Sequence, residues 1–481
     1  MIKCERKKLT AVIAVLFLVA LMFRFYRLSN QSLWMDEISS VATARVLLEQ
    51  IVERSAQNNS LPTYFLLLRP IVGTSNEHIE TKARIISVVA GALSVPVFIG
   101  LVLVWRKDCA IACIAGLLLA VNPLHVWYSQ EARGYALMLL LGLSCLLSFE
   151  LARSREKTGW WLGYIIFALL ATAVHKTGLV FPMICAGTDL WQAFRKRLSV
   201  NSLAPHLVLV AVAALLLIEP SRPPAKEYGR AGSILEIFYT AMTFVGGYSF
   251  GPSLTDIQND GAKLAVLHHL TQTALIGAVL LIIAGVLICA RRAALCGKEA
   301  LLTVLSIGMV FAGALVSRFP YNIRYALPAL FGFLALIAAL PLFVRKRMVW
   351  QSTLAAVLVI NLWADYQWFF VPAYRKGDSR AVAHWLTQHQ PQAKSWTVLP
   401  DYLGYSVKWY LEGRPEIIAG YVPPKAPQTT AFPPLPDVLI IGRRHHLADP
   451  DAVINSYRDA AGDVRTIDSI SGFEIYVRTN K

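Results

Sequence analysis

Asp36 and Glu37 stand side by side in "QSLWMDEISS", residues 31 to 40, in a chain that is otherwise sparing with acids. A carboxylate in such a place can take a proton from an incoming hydroxyl, while a second acid orients or polarises the site. Consecutive helical residues point in different directions, so one acid reacts and the other supports it. Asp36 is assigned the base and Glu37 the support. The alternative needs no chemistry: Asp36 would cap the helix suggested by "EISSVATARVLLEQ", a contribution of about 1 kcal/mol.

What must position these acids is a membrane protein. Of 481 residues, 56% are hydrophobic and 16% charged, with a mean hydropathy of +0.51, against about 25% charged in an average soluble domain. The net charge of +16 comes as short basic clusters between apolar runs. No continuous stripe is available to track phosphates, which argues against nucleic acid binding. Apolar runs long enough for spanning helices lie near 9 to 23, 85 to 104, 109 to 127, 135 to 151, 160 to 175 and 177 to 194. Five more follow near 203 to 219, 272 to 290, 301 to 317, 325 to 344 and 349 to 371, so that eleven spans are expected.

Basic residues give the orientation, because they resist translocation. Lys3, Arg6, Lys7 and Lys8 at the start, then Arg106/Lys107, Arg153/Arg155/Lys157, Arg195/Lys196/Arg197, Arg291/Arg292/Lys298 and Arg345/Lys346/Arg347, all fall on one side of an eleven-span arrangement. That side is read as cytoplasmic, N-terminus included. None of the seven cysteines falls in an external segment, as expected if thiols are kept away from an oxidising compartment. The first span runs into "MFRFYR" without a small-residue cleavage site and reads as a retained anchor.

Three segments are then large and external: 24 to 84, 220 to 271, and a tail from 372 to 481. Residues 1 to 371 form the membrane domain and 372 to 481 a soluble periplasmic α/β domain. In the first external loop "SSVATARVLLEQIVER" has helical apolar spacing and suggests a helix lying on the membrane surface. In the tail, "DSRAVAHWLTQH" and "DPDAVINSYRD" read as helices, and "WTVLP", "DVLIIG" and "FEIYVRT" as strands. "GRRHH" at 442 to 446 has no metal-ligand spacing and reads as a solvated turn.

The landmarks "LWMDEISS", "LPTYFLLL", "YSQEARGYAL", "HKTGLVFP" and "IRYALPAL", in this order over roughly the first 370 residues, resemble those of the protein O-mannosyltransferase and aminoarabinose transferase superfamily. Where bacterial relatives carry a His-Pro-Pro-Leu-Tyr-like run, this chain has "SLPTYF", with Ser60 and Leu61 in place of the histidine and first proline. The resemblance implies a polytopic GT-C glycosyltransferase of a bacterial inner membrane. Such an enzyme moves one sugar from a polyprenyl-phosphate carrier such as undecaprenyl phosphate to a lipid, glycan or protein acceptor on the periplasmic side. Inversion at the sugar is expected from the resemblance and from the single activated base.

Such a transfer builds negative charge on the departing phosphate, so fixed cations are needed opposite the base. Arg324 in "NIRYALP", Arg133 in "QEARGY" and Lys176 in "HKTG" sit at the external ends of spans and are assigned to the phosphate. His175, Glu131 and Tyr325 are candidates for support, with Glu131 expected to pair with Arg133. Asp256 and Asp260 are the acids available for a divalent ion, but their loop has no recognisable ligand pattern and no obligatory metal is expected. The rival reading is a lipid-carrier or polysaccharide transporter, which would call for paired repeats and charges buried in mid-span.

Overall fold

The computed structural model describes residues 6–57, 60–155, 157–195, 197, 203–217, 234–253, 256, 264–289, 297–317, 321–389, 394–422, 435–442, 447, 449–470 and 472–479. "GRRHH" after Gly442, Asp260 and residues 218–233 of the second external segment lie outside them.

The chain opens with the apolar helix α1 (Arg6–Phe25), followed by the short helices α2 (Met35–Arg45), α3 (Leu48–Gln57) and α4 (Thr63–Val72). Long helices return with α5 (Ile79–Arg106), α6 (Cys109–Ala120), α7 (Pro123–Ser129), α8 (Tyr135–Arg155), α9 (Thr158–Val174) and α10 (Val180–Phe194). Then come α11 (Ala204–Leu217), α12 (Ile234–Gly246), α13 (Leu270–Cys289), α14 (Gly297–Ser317), α15 (Ile323–Ala326), α16 (Pro328–Ala338), α17 (Leu340–Phe343) and α18 (Arg347–Phe370). Every expected span coincides with one or more of these helices. Among the described residues α1, α5, α8, α14 and α18 are long and apolar enough to cross a bilayer, and α6 with α7 makes a sixth if counted as one bent span. The other expected spans fall on α9, α10, α11, α13 and α16, of which α9, α16 and the described part of α13 are apolar but shorter. The expected 220–271 loop contains α12, an apolar helix that a reading by long hydrophobic runs passes over.

The expected span at 109 to 127 is broken. Its halves α6 and α7 meet at 57°, because Pro123 starts a new helix capped by the Asn122 side chain, which accepts from the His125 N–H at 3.0 Å. A break inside a bilayer frees carbonyls that water cannot reach, so the protein must satisfy them itself. Arg24 does so: its guanidinium donates to the carbonyls of Leu119 at 3.0 Å and Ala120 at 2.9 Å, and lies 2.8 Å from His125 Nδ1. Gly91 on α5 is the close-approach point, since a Cβ there would run into the Ser129 side chain. Cys113, Cys145 and Cys185 are free thiols, but Cys109 is disulfide-bonded, against the expectation of an unpaired thiol at that end of the helix.

After α18 the chain forms an α/β region with α19 (Ser379–His389), α20 (Asp401–Tyr410), α21 (Pro415–Ala419) and α22 (Pro450–Ala461). Its four strands are β1 (Trp396–Leu399), β2 (Val438–Gly442), β3 (Val464–Ile470) and β4 (Phe473–Arg478), in the order β1-β2-β4-β3. Strands β1 and β2 are parallel and the other pairs antiparallel. Asp378 and Asp449 cap α19 and α22 as their sequences suggest. Both faces of β1 and β2 are buried, one against α19 and α20 and the other against α22. This region is stapled to the helical part: Arg380 donates to the carbonyl of Asn30 at 2.9 Å and to Glu80 at 2.9 Å. The Tyr410 hydroxyl accepts from the Leu33 N–H at 2.6 Å and donates to Glu80 at 3.1 Å.

Trp396 is 1% exposed and donates from its indole to the Ile417 carbonyl at 2.7 Å. Trp396→Ala should cost about 3 to 5 kcal/mol. It should open the α/β region to limited proteolysis while the helical part stays protected, as checked by mass spectrometry of the fragments.

Candidate active site

The two adjacent acids have opposite surroundings. Glu37 is fully buried, and both its oxygens face Arg84 on α5, whose Nε and Nη2 donate at 2.8 Å each. Oε1 also accepts from the Ala132 N–H at 2.9 Å, and Oε2 from the Trp34 N–H at 3.2 Å. The second of these is the reach-back of a helix N3 acid to its cap residue. The capping acid of α2 is therefore Glu37, and the alternative reading in which Asp36 is the cap does not hold: the helix starts two residues earlier, at Met35, which leaves Asp36 inside its first turn. The expected helix running on from "EISS" also divides at Val46, so that α2 and α3 are separate.

Burial alone would push the Glu37 carboxyl up. The charge of Arg84, that of Lys376 and the hydrogen bonds outweigh it and hold Glu37 at about 2. Arg84 has further work, donating to the carbonyls of Leu28 at 2.6 Å, Gln31 at 3.0 Å and Ser32 at 3.0 Å. Gln130 completes the frame, with its amide nitrogen donating to the carbonyls of Arg24 at 3.1 Å and Tyr26 at 2.9 Å at the end of α1. The turn from α1 into α2, the start of α2 and the 130–134 turn are thus tied together by two side chains.

Asp36 faces elsewhere. Its Oδ2 lies 3.3 Å from Nη1 of Arg324, with the two side chains 24% and 28% exposed. The pair is longer and wetter than the Glu37 pair, and an incoming anion can open it at modest cost. Arg324 Nε is buried and makes no hydrogen bond among the described residues, so the guanidinium holds a donor in reserve. Asn322 accepts from the Arg324 N–H at 3.1 Å and starts α15, which aims this residue. Arg133 comes from the turn after α7 and reaches α2 one turn past Asp36, 3.5 Å from Ser40 Oγ. It shares an electrostatic neighbourhood with Asp36, Glu131 and Arg324.

His175 caps the 3-10 turn Lys176–Leu179, with Nδ1 2.7 Å from Thr177 Oγ1. Its ring packs between Tyr135 at 4.8 Å and Tyr325 at 6.1 Å, centroid to centroid. Burial and the charges of Arg133, Arg324 and Lys176 lower it to about 3, so at neutral pH it is an uncharged wedge. Tyr325 lies beneath the Arg324 guanidinium, 5.4 Å from its ring centroid. Lys176 lies close enough to act on His175. Asp36, Arg324, Arg133, His175 and Tyr325 therefore gather at one place, from four separate stretches of chain.

One expectation is overturned. The ion pair of Glu131 is with Lys376, 3.6 Å away at the start of the tail, while Arg133 two residues on acts only through its field. A spacing of two in a turn sends the side chains apart, and the tail folds back to fill the gap. Asp256 is engaged by the Ser253 N–H at 2.8 Å and by His269 at 3.3 Å. Among the described residues no group of three or more His, Cys, Asp or Glu side chains is placed to hold a metal. Sequence reasoning missed Arg84 and Lys376. The signal for Arg84 was an arginine at the very edge of the apolar run of α5, a costly place for a charge without a buried partner. For Lys376 there was none, as its partners lie hundreds of residues away.

No family model matches the sequence, and no curated protein matches it. Among solved structures, the chain is similar to an oligosaccharyltransferase of Archaeoglobus fulgidus in complex with zinc and sulfate, at a TM-score of 0.48 and 18% identity. That match covers 86% of this chain and 58% of the other, so the chain spans less than two thirds of the length of that protein. It is similar to ArnT from Cupriavidus metallidurans bound to undecaprenyl phosphate, at a TM-score of 0.44 and 12% identity over 100% of this chain and 99% of that one. A third likeness is to the arabinofuranosyltransferase AftD from Mycobacteria, at 0.46 and 14% identity over 99% of this chain and 40% of the other.

Because Glu37 sits well below the usual carboxylate range when folded, its ion pair stabilises the protein fully above about pH 4.5 and loses that contribution as pH falls towards about 2. Glu37→Gln strands Arg84 and should cost about 3 to 5 kcal/mol. It should also flatten the acid limb of thermal stability between these two pH values, measured by melting in detergent.

Proposed function

We propose that the protein transfers one sugar from a polyprenyl-phosphate carrier to an acceptor hydroxyl or amine, with inversion, at the external face of a bacterial inner membrane. The observation that carries this reading is the meeting of Asp36 with Arg324 across 288 residues of chain, beside Arg133. A carboxylate that can be freed and a pair of guanidiniums are the two ends of a displacement at a sugar carbon. In the step proposed, the acceptor oxygen bonds to the anomeric carbon while its proton passes to Asp36. The bond from that carbon to the phosphate oxygen breaks, and its electron pair leaves with the carrier phosphate.

Arg324 turns from Asp36 to the phosphate, which both frees the base and neutralises the leaving group. Arg133 and Lys176 add positive charge around the same headgroup. Glu37 touches no substrate in this scheme; it holds α2 so that Asp36 points at the acceptor. Uncharged His175 and Tyr325 form a wall that packs against Arg324. The N-terminus faces the cytoplasm and residues 372–481 form the periplasmic domain, an orientation supported by the distribution of Lys and Arg.

The test uses the full chain in nanodiscs, with undecaprenyl phosphate carrying labelled mannose, galactose or arabinose. Release of free undecaprenyl phosphate should fall by about 1,000-fold or more in Asp36→Asn with folding intact. Arg324→Lys should raise the KM for the donor at least about tenfold, since a point charge replaces a planar fork. Movement of intact carrier across the bilayer with no sugar released would instead make the protein a transporter.

A further inference from the structure

Residues 374–380, "YRKGDSR", cross the external surface between α18 and α19 as a strap with three fastenings. The Tyr374 hydroxyl donates to the Gly251 carbonyl at 2.7 Å. The Lys376 N–H donates to Gln31 Oε1 at 3.2 Å, and Arg380 holds the carbonyls of Ser29 and Asn30. So fixed, the strap turns the Lys376 side chain inward, where it is only 11% exposed. Its ammonium lies 3.6 Å from the Glu131 carboxylate and 5.0 and 5.2 Å from the ring centroids of Trp34 and Trp127. Such partners offset the hydration that a lysine gives up when it is drawn so far out of water.

Both kinds of partner lead back to the candidate base. The Trp34 carbonyl accepts from the N–H groups of Glu37 at 2.9 Å and Ile38 at 3.0 Å, so the turn that carries Asp36 hangs from it. Glu131 belongs to the turn whose Ala132 N–H holds Glu37 and whose Arg133 reaches α2. Asp36, Glu37 and Glu131 are three carboxylates within each other's field. Arg84 answers one of them, Arg324 another, and Lys376 the third.

We propose that Lys376 is a positioning residue for the transfer step: the strap sets its ammonium between Trp34 and Glu131, and this fixes the Asp36 carboxylate relative to Arg324 and Arg133. The proposal rests on the transferase reading. Lys376 acts through Glu131 and Trp34, so its loss falls on kcat, not on donor affinity.

The experiment measures kcat and KM for carrier release from the same labelled undecaprenyl-phosphate sugars, with melting followed in parallel, for wild type, K376M, K376R, E131Q/K376M and D36N. In K376M, kcat should fall about 100-fold with KM within about twofold of wild type. K376R should restore kcat to within about fivefold, and E131Q/K376M should regain about tenfold over K376M. The proposal is overturned by K376M with kcat within about threefold of wild type, by a rise in KM at unchanged kcat, or by K376R no better than K376M. Should K376M not fold, K376R and E131Q/K376M decide alone: both active supports the proposal, and either one folded but inactive overturns it. Equal release by wild type and D36N overturns the transferase reading itself and this proposal with it, an outcome distinct from normal loss in D36N with no effect at Lys376.

Discussion

The ion pair between Glu37 and Arg84 is the constraint on which the rest of the candidate site depends. Two charges in bidentate contact, both shut off from solvent, cannot be parted without leaving one stranded in a medium that solvates it poorly. That pair does more than join α2 to α5. Through the remaining donors of Arg84 it closes the turn at residues 28–32, and through the second acceptor sites of Glu37 it fixes the 130–134 turn. The frame is made of charge-assisted hydrogen bonds to backbone, which are short and directional.

Within that frame, sequence neighbours take different roles because a helix sends them to different sides. Glu37 points into the protein and is saturated with donors; Asp36 is partly exposed, and a longer contact with Arg324 holds its carboxylate. A base must be able to lose its partner, whereas a structural acid must not. The same division separates the cations: Arg84 is spent entirely on protein groups, while Arg324 keeps a buried donor unused among the described residues. The helix break at Asn122 serves the site as well, since it delivers Gln130, Glu131 and Arg133 to the underside of α2, and Arg24 meets the polar cost of that break.

Much of this arrangement could be read from the chain before any coordinates. Hydropathy places a helix at each expected span, and the acid pair and the basic residues at span ends identify Asp36, Arg324 and Arg133 as residues to bring together. Hydropathy is blind to what happens inside an apolar run and to charges buried at its edge, so the bend between α6 and α7 and the buried Arg84 escape it. The alternative of a cap at Asp36 fails for a similar reason, because Glu37, which does cap α2, is held by a clamp from α5, 47 residues away. Glu131 is matched with Arg133 by proximity in sequence, yet its partner is Lys376, 245 residues on, brought back by a strap whose fastenings are tertiary. Long-range charge pairing of this kind leaves no periodic trace.

In the proposed function Asp36 and Arg324 are the proton-accepting and phosphate-holding ends of one site, joined without a ligand and parted when it is loaded. An experimental structure of the chain with undecaprenyl phosphate bound tests this most directly. The phosphate oxygens should lie about 2.7 to 2.9 Å from the Arg324 guanidinium, with the Asp36 carboxylate released and Glu37 still clasped by Arg84. A headgroup bound away from Arg324, with the Asp36 pair undisturbed, would contradict the account.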